Sequence, residues 1–165
     1  MLFRFVLGRR VLSWASHADF LLQDADAAFR QGFLVSLERQ ARHLLRAVGL
    51  APEGSGRIVA LCAVLIADAA FGGLSRASRA AAGELDAELR EQILPDGCHI
   101  SRNPSEHLRV LRDLLWLQHG LRAANAPVPM TVHAAAERMS AMLLLFRHGD
   151  GSLALFHGSN EEDRA

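Results

Sequence analysis

The sequence predicts an all-α fold, an antiparallel helix array, and three observations carry that expectation. Apolar residues recur every three or four positions over most of the chain, which is the period of a helix and not of a strand. Pro, Gly and Asp fall between those periodic segments, where helices have to stop. The commonest residues are Ala and Leu, both strong helix formers. At 165 residues, half of them hydrophobic, the chain is long enough to bury one core and too apolar to be disordered.

Taken in order, Val11, Trp14, Ala18 and Leu21 predict a first helix from Gly8 to Leu22. Asp24 is the expected N-cap of a second, whose face is Phe29, Phe33, Leu37, Ala41, Leu44 and Val48, with Gly49 as its stop. A Pro/Gly/Ser loop over Ala51–Gly56 leads to a third helix, Arg57–Phe71, apolar nearly all round and so expected to be the most buried. Its Asp68 calls for an arginine partner, Arg76 or Arg79, or for a place on a central cavity. Gly72-Gly73 ends that helix, and Ser75–Leu94 forms the next, with Leu85, Leu89 and Ile93 inward. Pro95-Asp96-Gly97 is a turn by mechanism, since proline fixes φ and glycine supplies a positive one. Asn103-Pro104-Ser105-Glu106 then reopens a helix with an N-cap, proline at N1 and glutamate at N3. Its stripes are Leu108, Leu111, Leu115 and Gln118, with Val110, Leu114, Leu117 and Leu121 beside them. A linker, Ala124–Pro129, precedes a sixth helix, Met130–Phe146, closed by His148-Gly149-Asp150-Gly151. Ser152–His157 has the length of one short strand, and residues 159–165 are expected to be a disordered tail after a helical segment of 1–158. No hairpin repeats its sequence at a fixed period strongly enough to name a solenoid.

Composition narrows the function classes. Eighteen acidic residues balance eighteen basic ones, which argues against a nucleic-acid partner. Every basic residue is Arg, so Schiff-base chemistry and a P-loop lysine are excluded, and with no Tyr no phenol can act as acid or base. Cys62 and Cys98 are expected to be free thiols. The Met1–Arg10 stretch is a poor signal peptide, its charges following its apolar residues, and no run reaches the length of a membrane span. No membrane contact, metal or cofactor is expected. His17, His43, His119 and His133 are isolated on helices.

Two polar clusters sit at helix ends: Asp96, His99, Arg102, Asn103, Glu106 and His107 in one, and Arg147, His148, Asp150 and His157 in the other. A helix array can bring such ends to one rim. Imidazole, carboxylate and guanidinium together are suited to hold an acidic sugar and move protons.

The run from Ile93 through Pro95-Asp96-Gly97-Cys98-His99 to Asn103-Pro104-Ser105-Glu106-His107, with Arg147-His148-Gly149-Asp150-Gly151-Ser152 downstream, resembles a signature of the heparinase II/III family of polysaccharide lyases. The family pattern is a leucine-proline-aspartate-glycine-glycine-histidine turn, then serine-proline-any-tyrosine-histidine opening a helix. The resemblance runs from Gly8 to about Phe156. It implies an incomplete (α/α) toroid segment with at most one short C-terminal strand, followed in relatives by a β-sandwich domain. Against that pattern the chain is expected to be a piece of a longer protein, either from a truncated gene or with Met1 an internal methionine. The chemistry implied is β-elimination on uronic-acid-containing glycans, in which a base removes the C5 proton and an acid, usually tyrosine, protonates the leaving oxygen.

Pro104 and His107 match the helix-opening motif, Asn103 replaces its serine, and Glu106 stands where the tyrosine belongs. The asparagine-asparagine-histidine run that such lyases carry before the buried helix has no counterpart in residues 53–57. The resemblance therefore marks His107 and Glu106 as catalytic candidates and His99, Arg102, Asn103, Arg109, His148 and Asp150 as candidates for substrate. It implies an acidic polysaccharide and the β-sandwich domain as partners, with self-association through apolar surface that a segment leaves open. Each residue also has a structural reading. Glu106 caps a helix, His107 bonds the preceding loop, arginines cover helices, and Arg147–Gly151 is a C-cap. Three functions follow: a lyase-family helical domain inactive alone, a non-catalytic glycan-binding or scaffold domain, and a generic helical interaction module.

Overall fold

The computed structural model describes residues 2–50, 53–71 and 76–159. It contains seven packed helices: α1 (Leu2–Ser16), α2 (Ala18–Leu22), α3 (Ala27–Ala47), α4 (Ser55–Ala70), α5 (Arg76–Gln92), α6 (Pro104–Ala123) and α7 (Met130–Phe146), with a 3₁₀ turn at Val48–Leu50. Among the described residues there is no strand, and two isolated bridges, Ile93 with His99 and Arg147 with Leu153, are the only β pairing. The stretch 152–157 thus pairs at one residue only.

The helix α4 organises the rest. Every residue from Ile58 to Ala67 is buried, so the apolar run read as the most buried helix is that helix. It packs against α1, α3, α5 and α6, while α7 lies beyond it on α6 and α5. Two close approaches set the distances. A Cβ on Gly8 of α1 would sit 3.1 Å from the Ala60 Cα, and one on Gly120 of α6 would overlap the Ile66 side chain. Small residues at both crossings let α1 and α6 approach α4 closely.

Several boundaries differ from expectation, each for a local reason. The first helix starts earlier and breaks at His17, whose φ of −112° and ψ of 17° leave the helical region. The His17 ring turns back to the Ser13 carbonyl at 2.8 Å and lies edge-on to Trp116, so the chain bends there into α2. The cap of α3 is Asp26 and not Asp24. Asp26 has extended backbone and accepts the Phe29 N–H at 2.7 Å. Phe33, Leu37, Leu44 and Val48 are buried as expected, whereas Phe29, in the first turn, is exposed. Gly49 does not stop this helix in a left-handed conformation, because the chain tightens into the 3₁₀ turn instead. Helix α4 begins at Ser55, inside the expected loop, after Gly54 with φ +105°. Gly72, Gly73 and Ser75 lie outside the described residues. Asp68 is half-buried on the wall of an open cleft of about 210 Å³, lined also by Glu38, Arg42, Leu45, Val64 and Phe71. Leu85, Leu89 and Ile93 of the α5 stripe are buried, and α6 buries its stripes apart from the exposed Leu115 and the half-buried Leu108.

One feature of α6 interrupts its apolar face. Asp113 falls between Val110 and Leu114, is almost fully buried, and is paired with Arg9 of α1. Burial pushes its carboxyl up to about 6 against the pull of Arg9 and Arg112, and burial also lowers the Arg9 guanidinium, so desolvation outweighs attraction for both partners. Because the folded value lies above that of an unfolded Asp, the folded state takes up the proton first as pH falls. The cost of holding Asp113 charged is full above about pH 6 and fades toward about pH 4. We predict that Arg9→Met costs about 3–5 kcal/mol near pH 7.5 by leaving a buried charge. Near pH 5, where Asp113 can go neutral, chemical denaturation should show a loss smaller by about 1 kcal/mol or more. Equal losses at the two pH values would contradict this reading.

Candidate functional site

The two polar clusters are built on two turns of one construction. After α5, Ile93 bridges His99, the Leu94 N–H donates to the Cys98 carbonyl (2.9 Å), the Gly97 N–H to the Leu94 carbonyl (2.9 Å), and the Cys98 N–H to Asp96 Oδ1 (2.9 Å). After α7, Arg147 bridges Leu153, the His148 N–H donates to the Ser152 carbonyl (2.8 Å), the Gly151 N–H to the His148 carbonyl (2.9 Å), and the Ser152 N–H to Asp150 Oδ1 (2.9 Å). Gly97 and Gly151 share a positive φ, +85° and +86°, and the preceding helices are both 17 residues long. The sequence hides this repeat because only the Asp-Gly pair is common to both. The rest is set by backbone bonds that many side chains satisfy.

Both turns lie at one end of the array, as the helix-end reading expected. Asn103 Nδ2 donates to the His157 carbonyl at 2.9 Å, Ser159 Oγ donates to Asn103 Oδ1 at 2.9 Å, and the Ser105 N–H donates to Ser159 Oγ at 3.3 Å. Ser159, the first residue of the expected tail, is therefore anchored. A row of edge-packed rings, His107 to Phe146 to Phe156 to His157 at centroid separations of 5.3, 5.7 and 5.4 Å, runs from the buried His107 and Phe146 out to the exposed Phe156 and His157.

Each candidate side chain is placed by these turns. Asn103 caps α6, accepting the Glu106 N–H at 3.0 Å. His107 is fully buried with both ring nitrogens engaged: Nδ1 accepts the His99 N–H at 3.3 Å and Nε2 donates to the Met139 carbonyl at 2.9 Å. A backbone N–H on Nδ1 fixes the neutral tautomer with its proton on Nε2. His99 is also buried. Its Nδ1 accepts the Ser101 N–H at 3.2 Å and faces Ser101 Oγ at 2.8 Å, and its Nε2 donates to Ser55 Oγ at 3.3 Å. Burial holds both imidazoles below their ordinary range. Glu106 is paired with Arg109, one turn along α6, and Arg102 is paired with Asp96 at the surface. The Cys98 N–H bond and Arg102 lower the Asp96 carboxyl. Arg102, at φ +54°, occupies the left-handed region just before the cap. Exposed Asp150 spends one oxygen on the Ser152 N–H and hydroxyl, which lower its carboxyl, and His148 is exposed.

Some neighbours escaped the sequence reading. Ser55 at the start of α4 reaches His99, buried Glu88 of α5 accepts the Gly54 N–H, and Arg57 pairs with Glu84 at 3.0 Å. Glu88 had one signal, a carboxylate beside the Leu85 and Leu89 stripe. Ser55 had none, its partner being 44 residues away. On α7, His133 pairs with Glu137, an i+4 neighbour, at 3.4 Å. Among the described residues no group of His, Cys, Asp or Glu is arranged to hold a metal ion.

The arrangement offers little free acid–base capacity. His107 can take a proton only by giving up the His99 N–H, and the Glu106 carboxylate is matched by a guanidinium. Arg102 and Arg109, the cations nearest the motif, already have carboxylate partners. The twin turns allow a controlled test of packing. A Cβ on Gly97 would overlap the Arg138 carbonyl of α7, whereas one on Gly151 would meet only the Arg147 side chain at 3.5 Å. We predict that Gly151→Ala costs about 1 kcal/mol, the strain of a left-handed residue, and Gly97→Ala about 2 kcal/mol more, from the forced shift of α7. Equal losses in thermal or urea unfolding would show that the first turn is not wedged on α7.

The comparisons with known proteins agree with the motif. The family model described as "Heparinase II/III N-terminus" matches residues 7–165. A protein named "FtsZ-localized protein C", from Caulobacter vibrioides (strain NA1000 / CB15N), is 34% identical over 158 residues. That alignment takes in 92% of this chain and 26% of the relative, so the chain spans about a quarter of its length. No solved structure matches. The motif turn, the capped helix behind it and a family match over nearly the whole chain lead to one conclusion: the chain belongs to the heparinase II/III N-terminal domain family.

Proposed function

We propose that this chain is a non-catalytic scaffold domain of a heparinase II/III-type polypeptide, whose motif residues hold a rim together and do not carry out β-elimination. The observation that carries the reading is His107. The histidine of the family motif is fully buried, neutral and bonded through both ring nitrogens to backbone groups of its own fold. The motif tyrosine is Glu106, bound to Arg109, and no other phenol exists in the chain. An elimination catalyst needs a base and an acid within reach of substrate, and the motif supplies neither in available form.

A scaffold needs a rigid body and a surface for its neighbour. The rigid body is the α4-centred array. Exposed Leu144 and Leu145 on α7, with Leu155 and Phe156 beyond the second turn, supply apolar surface of the kind that another domain or copy covers. The name of the Caulobacter relative associates that protein with FtsZ, which favours an assembly role over a degradative one for this domain as well. Acidic polysaccharide remains the ligand class implied by the family, with Arg102, Arg109 and His148 as the basic side chains on the rim.

The test is direct. Incubated with heparin, heparan sulfate or alginate, the purified chain should release no unsaturated uronate, followed by ultraviolet absorbance of the product. A steady rise above a heat-treated control, abolished by His107→Ala in a folded variant, would contradict the scaffold reading and restore His107 to catalysis.

A further inference from the structure

The twin turns differ at one position in a way that construction alone does not require. Where the second has Leu153, the first has His99, which leads to His107 eight residues on. Both backbone N–H groups aimed at this pair, Ser101 to His99 and His99 to His107, point at Nδ1 atoms that must be unprotonated to accept them. We propose that His107 and His99 form an acid-sensitive latch, and that protonation of His107 frees the Pro95–Arg102 turn from α6 and α7 and uncovers Cys98.

The electrostatics follow from the geometry. A proton on His107 Nδ1 turns an acceptor into a donor that faces the His99 N–H. Nε2 is already committed to the Met139 carbonyl, and edge-on Phe146 offers no acceptor. His99 tolerates a proton better, because Ser101 Oγ at 2.8 Å can accept from Nδ1. His107 is thus the bolt and His99 its seat. The charged groups that act on the pair are few. Glu106 of α6 pulls His99 toward protonation and Asp96 of the turn pulls His107, but Arg109 and Arg102 hold those carboxylates, and a charge on His107 disfavours one on His99. From α4 and α7 the contacts are the neutral Ser55 hydroxyl, the Met139 carbonyl and the Phe146 ring. Burial places both imidazoles below the unfolded value, so the folded contribution is full above about pH 6.5 and is lost as pH falls toward the folded values. This sign is opposite to that of Asp113.

What the turn covers gives the readout. Cys98, a fully buried residue of the turn whose side chain meets Arg102, is a free thiol, as is Cys62, which lies in the middle of α4. Release of the turn exposes the first and leaves the second buried. The experiment labels the intact chain with 4,4′-dithiodipyridine, which reacts with thiols in mild acid, and assigns the modified cysteine by mass spectrometry. Between about pH 7.5 and about pH 5 the Cys98 rate, taken relative to a small free thiol labelled at the same pH, should rise severalfold, by about 3-fold or more, because His107 is held below its ordinary range. Cys62 should stay protected and the helical circular dichroism unchanged. His107→Gln, which keeps an amide acceptor and donor but cannot titrate, should flatten the response. In the wild-type chain the NMR titration midpoint of His107 should coincide with the labelling midpoint, a check that does not depend on the variant folding. A flat Cys98 rate, parallel labelling of both cysteines, an acid response that persists in folded His107→Gln, or mismatched midpoints would each overturn the latch.

Discussion

The burial of α4 is the constraint on which the rest of the structure depends. A helix hidden on every side from Ile58 to Ala67 has no polar face to offer water, so it exists only if neighbours surround it. The close approaches at Gly8 and Gly120 set how near two of those neighbours come. The burial in turn explains the Asp113–Arg9 pair. A carboxylate facing the region where α1, α4 and α6 meet must bring a counter-charge, and Arg9 supplies it from 104 residues earlier in the chain. The ends of α4, α5, α6 and α7 are then held in fixed relation, and the rim of turns is built on them.

The rim shows how one backbone device can serve two ends. Both turns rely on an Asp-Gly pair, the aspartate bonding the amide two residues on and the glycine taking a positive φ. The second turn stays at the surface. The first is wedged against α7 and sealed beneath by His107, whose ring spans from the His99 amide to the Met139 carbonyl. The turn, the cap and the histidine of the motif all have partners within this fold, and Glu106 and Arg102 are held in ion pairs.

Most of the helices were legible because periodicity reports burial, and α4 is the clearest case. The cap of α6 was legible from Asn103 and Pro104, and the whole span of α7 from the Ala124–Pro129 linker before it and His148-Gly149-Asp150-Gly151 after it. What failed to read was what local sequence does not encode. The bend at His17 depends on a ring turning back to Ser13 and on Trp116 about a hundred residues away. The choice of Asp26 over Asp24 depends on which aspartate the backbone leaves extended. At the site, the residue types and their common rim were readable, but their states were not. Nothing in Asn103–His107 announces that Nδ1 of His107 faces a backbone amide or that Ser55 lies under His99. Asp113 did carry a signal, a lone carboxylate inside an apolar stripe, and its partner could not be named without the fold.

His107, on this structure, is a neutral bridge between the His99 amide and the Met139 carbonyl. The most direct measurement is its tautomer and titration by ¹⁵N-edited NMR of the imidazole. The expected result is a bare Nδ1, a proton on Nε2 at neutral pH, and a midpoint below that of a free imidazole. A ring that exchanges between tautomers and titrates near about pH 6.5 like a solvent-exposed histidine would contradict it.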